Sequence, residues 1–148
     1  MNLLAPISTI MTKNPVIVSP DDSLQTAHEI FDTFNIHHIP VVHQGELVGM
    51  LAKSDFSLFK RGLNDEIVDL LLVDVRLNNY KVSSLMTRKI AKLDADDRIN
   101  VALEVFKINM FHAMPVMEAN RVVGIITTHD IIKHLAADNS AVNTYDNV

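Results

Sequence analysis

Apolar residues recur along this chain in two blocks of one design. Leu24, Ala27, Ile30, Phe31 and Phe34 fall at the three- and four-residue spacing that lines one face of a helix. Asp22, with Gln25 three residues on, opens that helix as a capping-box-like pair. The period then shortens. Ile39-Pro40-Val41-Val42, a turn at His43-Gln44-Gly45-Glu46, and Leu47-Val48-Gly49-Met50-Leu51 predict a hairpin. Its nearly unbroken apolar strands suit a sheet buried on both faces. A second helix is expected from about Asp55, and a short extended stretch, Val16-Ile17-Val18, precedes the block. The second block has Asp97 as cap and Ile99, Ala102, Val105 and Phe106 as stripe. Its hairpin is Met114-Pro115-Val116-Met117, a turn at Glu118-Ala119-Asn120-Arg121, and Val122 to Ile126, with a helix from about Asp130.

The two blocks are copies. Residues 10–56 align with 85–131 at a constant offset of 75, without a gap, with thirteen identities in the 47 aligned positions. Met11-Thr12 falls on Met86-Thr87, His37 on His112, Pro40-Val41 on Pro115-Val116, Val48-Gly49 on Val123-Gly124 and Asp55 on Asp130. A gapless internal repeat of this kind means two copies of one supersecondary unit, here β-α-β-β-α. Between them, 65–72 is expected to be helical and Arg76 to Tyr80 a loop. The tail from Ala137 to Val148 is expected to fray.

Bulk properties narrow the functions. Neither copy is large enough to bury a generous core alone, but 48% of the 148 residues are hydrophobic, so a shared core is feasible. The chain has no cysteine, which excludes disulfides, thiolate metal sites and cysteine nucleophiles. A net charge of −5 and a pI near 5.7 argue against binding nucleic acid or anionic membranes through a basic face. Met1 to Pro6 lacks the basic segment and apolar run of a secretory signal, and no apolar run approaches a bilayer span. A cytoplasmic protein is expected.

The landmarks together resemble the CBS domain family. Its marks are a Met-Thr segment, a capped helix, a hydrophobic-x-x-hydrophobic-Pro-Val strand and a Gly-h-h-(Ser/Thr)-x-x-Asp motif. Here they read Ile10-Met11-Thr12, Ile36-His37-His38-Ile39-Pro40-Val41 and Gly49-Met50-Leu51-Ala52-Lys53-Ser54-Asp55. The second copy reads Leu85-Met86-Thr87, Phe111-His112-Ala113-Met114-Pro115-Val116 and Gly124-Ile125-Ile126-Thr127-Thr128-His129-Asp130. The resemblance implies a mixed α/β fold of two tandem CBS repeats packed with pseudo-twofold symmetry, a Bateman module. The repeats would span 7–62 and 82–137, with a linker over 63–81 and a tail over 138–148. It also implies a homodimer and a regulatory, non-catalytic role. The module would sense an adenosine nucleotide (AMP, ADP or ATP) or a related compound and modulate a protein partner that the sequence does not name.

By the same resemblance each cleft draws on both repeats. The favoured one takes Ile125, Thr127, His129 and Asp130, with His112 nearby, and Thr12, Val16, Ile36, His37 and His38. The second takes Met50, Ser54 and Asp55 with Thr87, Ala91, Phe111, His112 and Ala113. The family's Asp accepts hydrogen bonds from ribose hydroxyls, which suits an ionised carboxylate because it only accepts. The motif hydroxyl is present as Thr127 but replaced by Ala52 in the first copy, with Ser54 two residues on as a partial substitute. The first of the two clefts is therefore the expected tighter site. Where relatives commonly carry a cation for phosphate this chain has His38 and Ala113, leaving Lys53, Arg88 and Lys89 as substitutes.

Plainer readings stand beside these. Thr127 and Asp130 can simply cap a helix, and Asp55 and Asp130 can simply satisfy its dipole. The whole module can be a ligand-free interaction scaffold. His37, His38 and His43 do not form a metal set: neighbouring strand side chains point to opposite faces and too few carboxylates lie near. His37 and His112 are expected to pack or hydrogen-bond in parallel roles. Met50, Met110, Met114 and Met117 read as core filler. No nucleophile elbow, thiol or metal set supports catalysis, so no catalytic residue is assigned.

Overall fold

A computed structural model describes residues 1–61 and 70–138. The expected linker positions 63–69 and the tail beyond 138 lie outside the described residues. The elements follow the duplicated order: β1 (Thr12–Lys13), α1 (Leu24–Phe34), β2 (His38–His43), β3 (Glu46–Ala52), α2 (Lys53–Arg61), α3 (Leu70–Asn79), then β4 (Leu93–Asp94), α4 (Ile99–Asn109), β5 (Ala113–Glu118), β6 (Arg121–Thr127) and α5 (Thr128–Ala137). The chain divides into two compact units. The first holds residues 1–14, 92–118 and the chain from 123 onward; the second holds 15–91 and 119–122.

Each unit takes its leading segment from the other copy. In the first, β1 pairs antiparallel with β6, placing Thr12 opposite Ile125, in a four-stranded sheet of order β1-β6-β5-β4. In the second, β2 and β3 form the antiparallel hairpin, flanked by a parallel bridge from Val18 to Val41 and an antiparallel bridge between Met50 and Thr87. The pattern is the same at an offset of 75. Ile7 N–H donates to Asp97 O at 2.8 Å, as Val82 N–H donates to Asp22 O at 2.8 Å. Ile99 N–H donates to Ala5 O at 3.0 Å, as Leu24 N–H donates to Tyr80 O at 2.9 Å.

The hairpins turn through two residues at positive φ, Gln44 and Gly45 in one and Ala119 and Asn120 in the other, the geometry whose twist matches paired strands. Their apolar strands are buried as expected: Ile39, Val41 and Leu51 in the second unit, Met114, Val116 and Ile126 in the first. Of the earlier extended stretch only Val18 pairs, and its counterpart Leu93 begins β4. In the second unit Leu24, Ala27 and Phe31 of α1 pack into one cluster with Ile39, Leu51 and Phe56. The Phe31 and Phe56 rings meet edge to face at 5.6 Å. Burying one such ring contributes about 1.5–3 kcal/mol.

Several expectations need correction. The cap of α1 is Ser23, whose Oγ accepts from Thr26 N–H at 3.1 Å. Asp22 instead closes the preceding turn, accepting from Ser19 N–H at 2.8 Å. Asp97 does the same with Asp94 N–H, and Arg98, at the cap of α4, makes no side-chain bond. Residues 76–79 are helical rather than a loop, because Val73 and Leu77, four apart, bury one face of α3 in the cluster. Phe34, at the end of the α1 stripe, is 56% exposed. Met110 is not core: it ends α4 in the left-handed region and is 84% exposed, whereas Met50, Met114 and Met117 are buried.

Candidate functional site

The helix that follows each hairpin starts at the motif. In the first unit Thr127 ends β6 and caps α5. Its Oγ1 accepts from Asp130 N–H at 3.1 Å and donates to Asp130 Oδ2 at 2.7 Å. Asp130 Oδ2 also accepts from Thr127 N–H at 2.8 Å, completing a reciprocal capping box. In the second unit Ala52 has no hydroxyl, so only half of the box survives: Ala52 N–H donates to Asp55 Oδ2 at 2.9 Å. Ser54 lies exposed in the first turn of α2 and does not replace the missing cap. The capping reading of these residues therefore holds.

The first unit brings together Thr12, Ile125, Thr127 and Asp130. Thr12 is exposed on β1, Ile125 is its buried partner on β6, and Thr127 and Asp130 lie half-buried at the end of that strand. His129 is exposed on the first turn of α5, and His112 presents an exposed side chain before β5. Val16, Ile36, His37 and His38, assigned to the same cleft, belong to the second unit. There, Met50 and Thr87 exchange backbone hydrogen bonds of 2.9 and 2.8 Å, and Asp55 lies half-buried two residues into α2 from the strand end. Ala91 is in this unit; Phe111, His112 and Ala113 are in the first.

His37 and His112 act in parallel through their backbones. The His37 carbonyl accepts from Lys53 N–H at 2.8 Å and the His112 carbonyl from Thr128 N–H at 3.1 Å, tying the loop before each hairpin to the helix after it. Both imidazoles are exposed; of the packing or hydrogen-bonding role expected of the two residues, the structure shows these parallel backbone hydrogen bonds. Of the substitute cations, Lys53 Nζ lies 3.5 Å from Asp32 and Arg88 donates to the Ser83 carbonyl at 3.2 Å, while Lys89 is exposed.

The hydrogen bonds on the two motif carboxylates fall on one oxygen each, Oδ2. Oδ1 of Asp130 is left as an acceptor in the first turn of α5, whose Thr128 and Asp130 N–H groups are already engaged by the His112 carbonyl and Thr127 Oγ1. Such a carboxylate can cap a helix and accept from an external hydroxyl at once. Sequence reasoning missed the exchange of leading segments. A signal for it exists: Met11 sits on Gly124 and Met86 on Gly49, each methionine on the glycine of the other copy. Among the described residues no group of three or more His, Asp or Glu side chains is arranged for a metal, and no helix is long and apolar enough to cross a membrane.

The CBS domain family model matches residues 7–60 and 82–137, once in each copy. The chain belongs to the CBS domain family. A curated relative, inosine-5'-monophosphate dehydrogenase of Methanocaldococcus jannaschii, is 29% identical over 126 residues; the match covers 84% of this CBS protein but only 22% of that enzyme. The CBS domain-containing protein YhcV of Bacillus subtilis is 23% identical, and the match covers 98% of this chain and 96% of YhcV. Among solved structures, the CBS domain pair of protein MJ0100, in complex with 5'-methylthioadenosine and S-adenosyl-L-methionine, is similar with a TM-score of 0.70. It is 26% identical, and the match covers 90% of this chain and 98% of that pair.

Proposed function

We propose that this CBS pair is a regulatory module that binds an adenosine-containing compound and passes its occupancy to a partner protein. The observation that carries the reading is Asp130: a half-buried carboxylate held rigid through Oδ2, with Oδ1 left to accept from a ribose hydroxyl. Thr12, opposite Ile125 on the adjoining strand, adds a hydroxyl to the same half-site. The ligands named for the MJ0100 pair are of this chemical class. The half-site with Thr127 is the tighter one, because its helix start is doubly fixed and that of Asp55 is not. A homodimer in the cytoplasm belongs to this reading.

The test is thermal denaturation of the purified chain with AMP, ADP, ATP, NAD or S-adenosylmethionine, alongside Asp130→Ala and Asp55→Ala. A compound at 100 times its Kd adds about 2.7 kcal/mol to the native state. The shift is expected to be lost in Asp130→Ala and kept in Asp55→Ala. One observation favours a ligand-free scaffold: both carboxylates already have a structural use as caps. The absence of a shift with every compound at millimolar concentration would establish that alternative.

A further inference from the structure

The N-terminal segment of the first unit holds two things at once. Helix α4 starts after Arg98 without a side-chain cap. Its first two N–H groups donate instead to Ala5 O and Leu3 O, both at 3.0 Å. The equivalent helix α1 has the same bond at its first N–H, from Leu24 to Tyr80 O, and its own Ser23 side-chain cap as well. Residues 1–14 are therefore the cap of α4, anchored by the fully buried Ile7 and by Ser8 N–H on Ala95 O at 3.1 Å. Farther on, Thr12 and Lys13 pair with Ile125 and Gly124, and Asn14 N–H donates to Val123 O at 3.0 Å. Asn14 then takes a left-handed conformation, φ 49°, and Pro15 leads into the second unit.

We propose that residues 1–14 form a ligand-responsive strap, whose docking onto α4 and β6 and the occupancy of the half-site made by Thr12, Thr127 and Asp130 are one coupled equilibrium. The proposal rests on the ligand-binding reading above. Thr12 rides on the strap, whereas Thr127 and Asp130 do not. A compound that touches both sides is held in full only when the strap is docked, so it depletes the undocked state by its differential affinity. At 100 times Kd the undocked population falls by at most about 100-fold, the limit reached when the undocked state binds nothing. Reciprocally, loosening the strap raises the compound's apparent Kd in inverse proportion to the fraction of time the strap is docked. Undocking also removes the carbonyls that cap α4, so occupancy reaches a helix that carries no proposed ligand contact.

Residue-resolved hydrogen exchange on the full chain tests this, with S-adenosylmethionine, ATP and AMP as probes and thermal shift as the independent sign of binding. Without a probe, the amides of Ile7, Ser8, Ile99 and Asn100 are expected to show one common protection factor, lower than that of Ile126 within β6. A bound probe at 100 times Kd should slow all four by a common factor of at most about 100. Ile7→Ala removes the anchor, and Ser8→Pro deletes the N–H to Ala95 and restricts the turn at Ile7. Each is expected to speed exchange at Ile99 and Asn100 and to weaken the probe about tenfold. Protection of the four amides equal to that of Ile126 would overturn the strap as a separate element. Stabilisation by a probe without slower strap exchange, or an unchanged Kd in both variants, would overturn the coupling and leave ligand binding intact. Failure of every probe to bind would overturn both.

Discussion

Exchanging the residues that differ between the two helix caps should move stability in opposite directions. Thr127→Ala removes an acceptor 3.1 Å from Asp130 N–H and a donor 2.7 Å from Asp130 Oδ2. Loss of a Thr cap costs about 1 kcal/mol, within a range of roughly 0.5–2. The second bond adds little beyond that, because Oδ2 keeps Thr127 N–H at 2.8 Å and is not orphaned. The expected loss is therefore about 1–1.5 kcal/mol. Ala52→Thr supplies the missing hydroxyl where Ala52 N–H already holds Asp55 Oδ2 at 2.9 Å. The backbone stays as it is, and a threonine suits the last position of β3, so a gain of about 0.5–1 kcal/mol is expected. Urea denaturation followed by circular dichroism reads both. With m at roughly 1–3 kcal/mol/M, the midpoints should move by about 0.5 M in opposite senses with m unchanged. The double variant should lie near the parent. Shifts of the same sign, or none in either variant, would refute the claim that the motif hydroxyl fixes the helix start.

The glycines under the methionines should differ in tolerance. A Cβ on Gly49 would lie 2.8 Å from Met86 Sδ and 2.9 Å from the Thr87 carbonyl, whereas on Gly124 its three nearest atoms are all Met11 side-chain atoms. Gly49→Ala should cost about 2–3 kcal/mol and Gly124→Ala about 1, with Met11→Ala relieving only the latter; the reverse order in urea denaturation would contradict this. A pH effect is expected at the Asp21–Lys81 pair. Lys81 Nζ, 2.9 Å from Asp21 Oδ1, holds that carboxyl below its ordinary range by hydrogen bond and charge. The resulting stabilisation is present above the ordinary carboxylate range and is lost as pH falls through the lowered value. Lys81→Met should raise the Asp21 titration seen by NMR and cost stability at neutral pH but not in strong acid. A deficit that persisted in acid would refute the assignment.

The helix stripes and hairpins were legible because their signals are local: three- and four-residue spacing and short apolar runs. The caps were misjudged by one residue in each copy because Asp22 and Ser23 both suit a helix start. Only the fold decides that the Asp22 carboxylate goes to Ser19 N–H, leaving the cap to Ser23. The run Arg76 to Tyr80 has the composition of a loop, and burial of Val73 and Leu77 overrode it. The exchanged strands were invisible as strands. Short segments such as Thr12–Lys13 have no periodicity; the partners of Thr12 and Lys13 are more than a hundred positions away and that of Thr87 is at Met50. At the site, residue types located the motif carboxylates but could not choose between cap and ligand contact, since one carboxylate can serve in both.

The exchange of leading segments also sets an order of assembly. Apart from the short 119–122 stretch, the second unit is one continuous run, 15–91, so its pairings can close as soon as that run has been synthesised. The first unit cannot. Residues 1–14 must wait for partners at 95–100 and 123–125, near the far end of the described chain. Such distant closure slows folding and leaves an early-made segment unpaired during synthesis. A fragment cut at the boundaries of the second repeat would lack the strand and the helix cap that the first repeat contributes. Duplication has thus produced a chain whose second copy is completed by the segment that leads into the first.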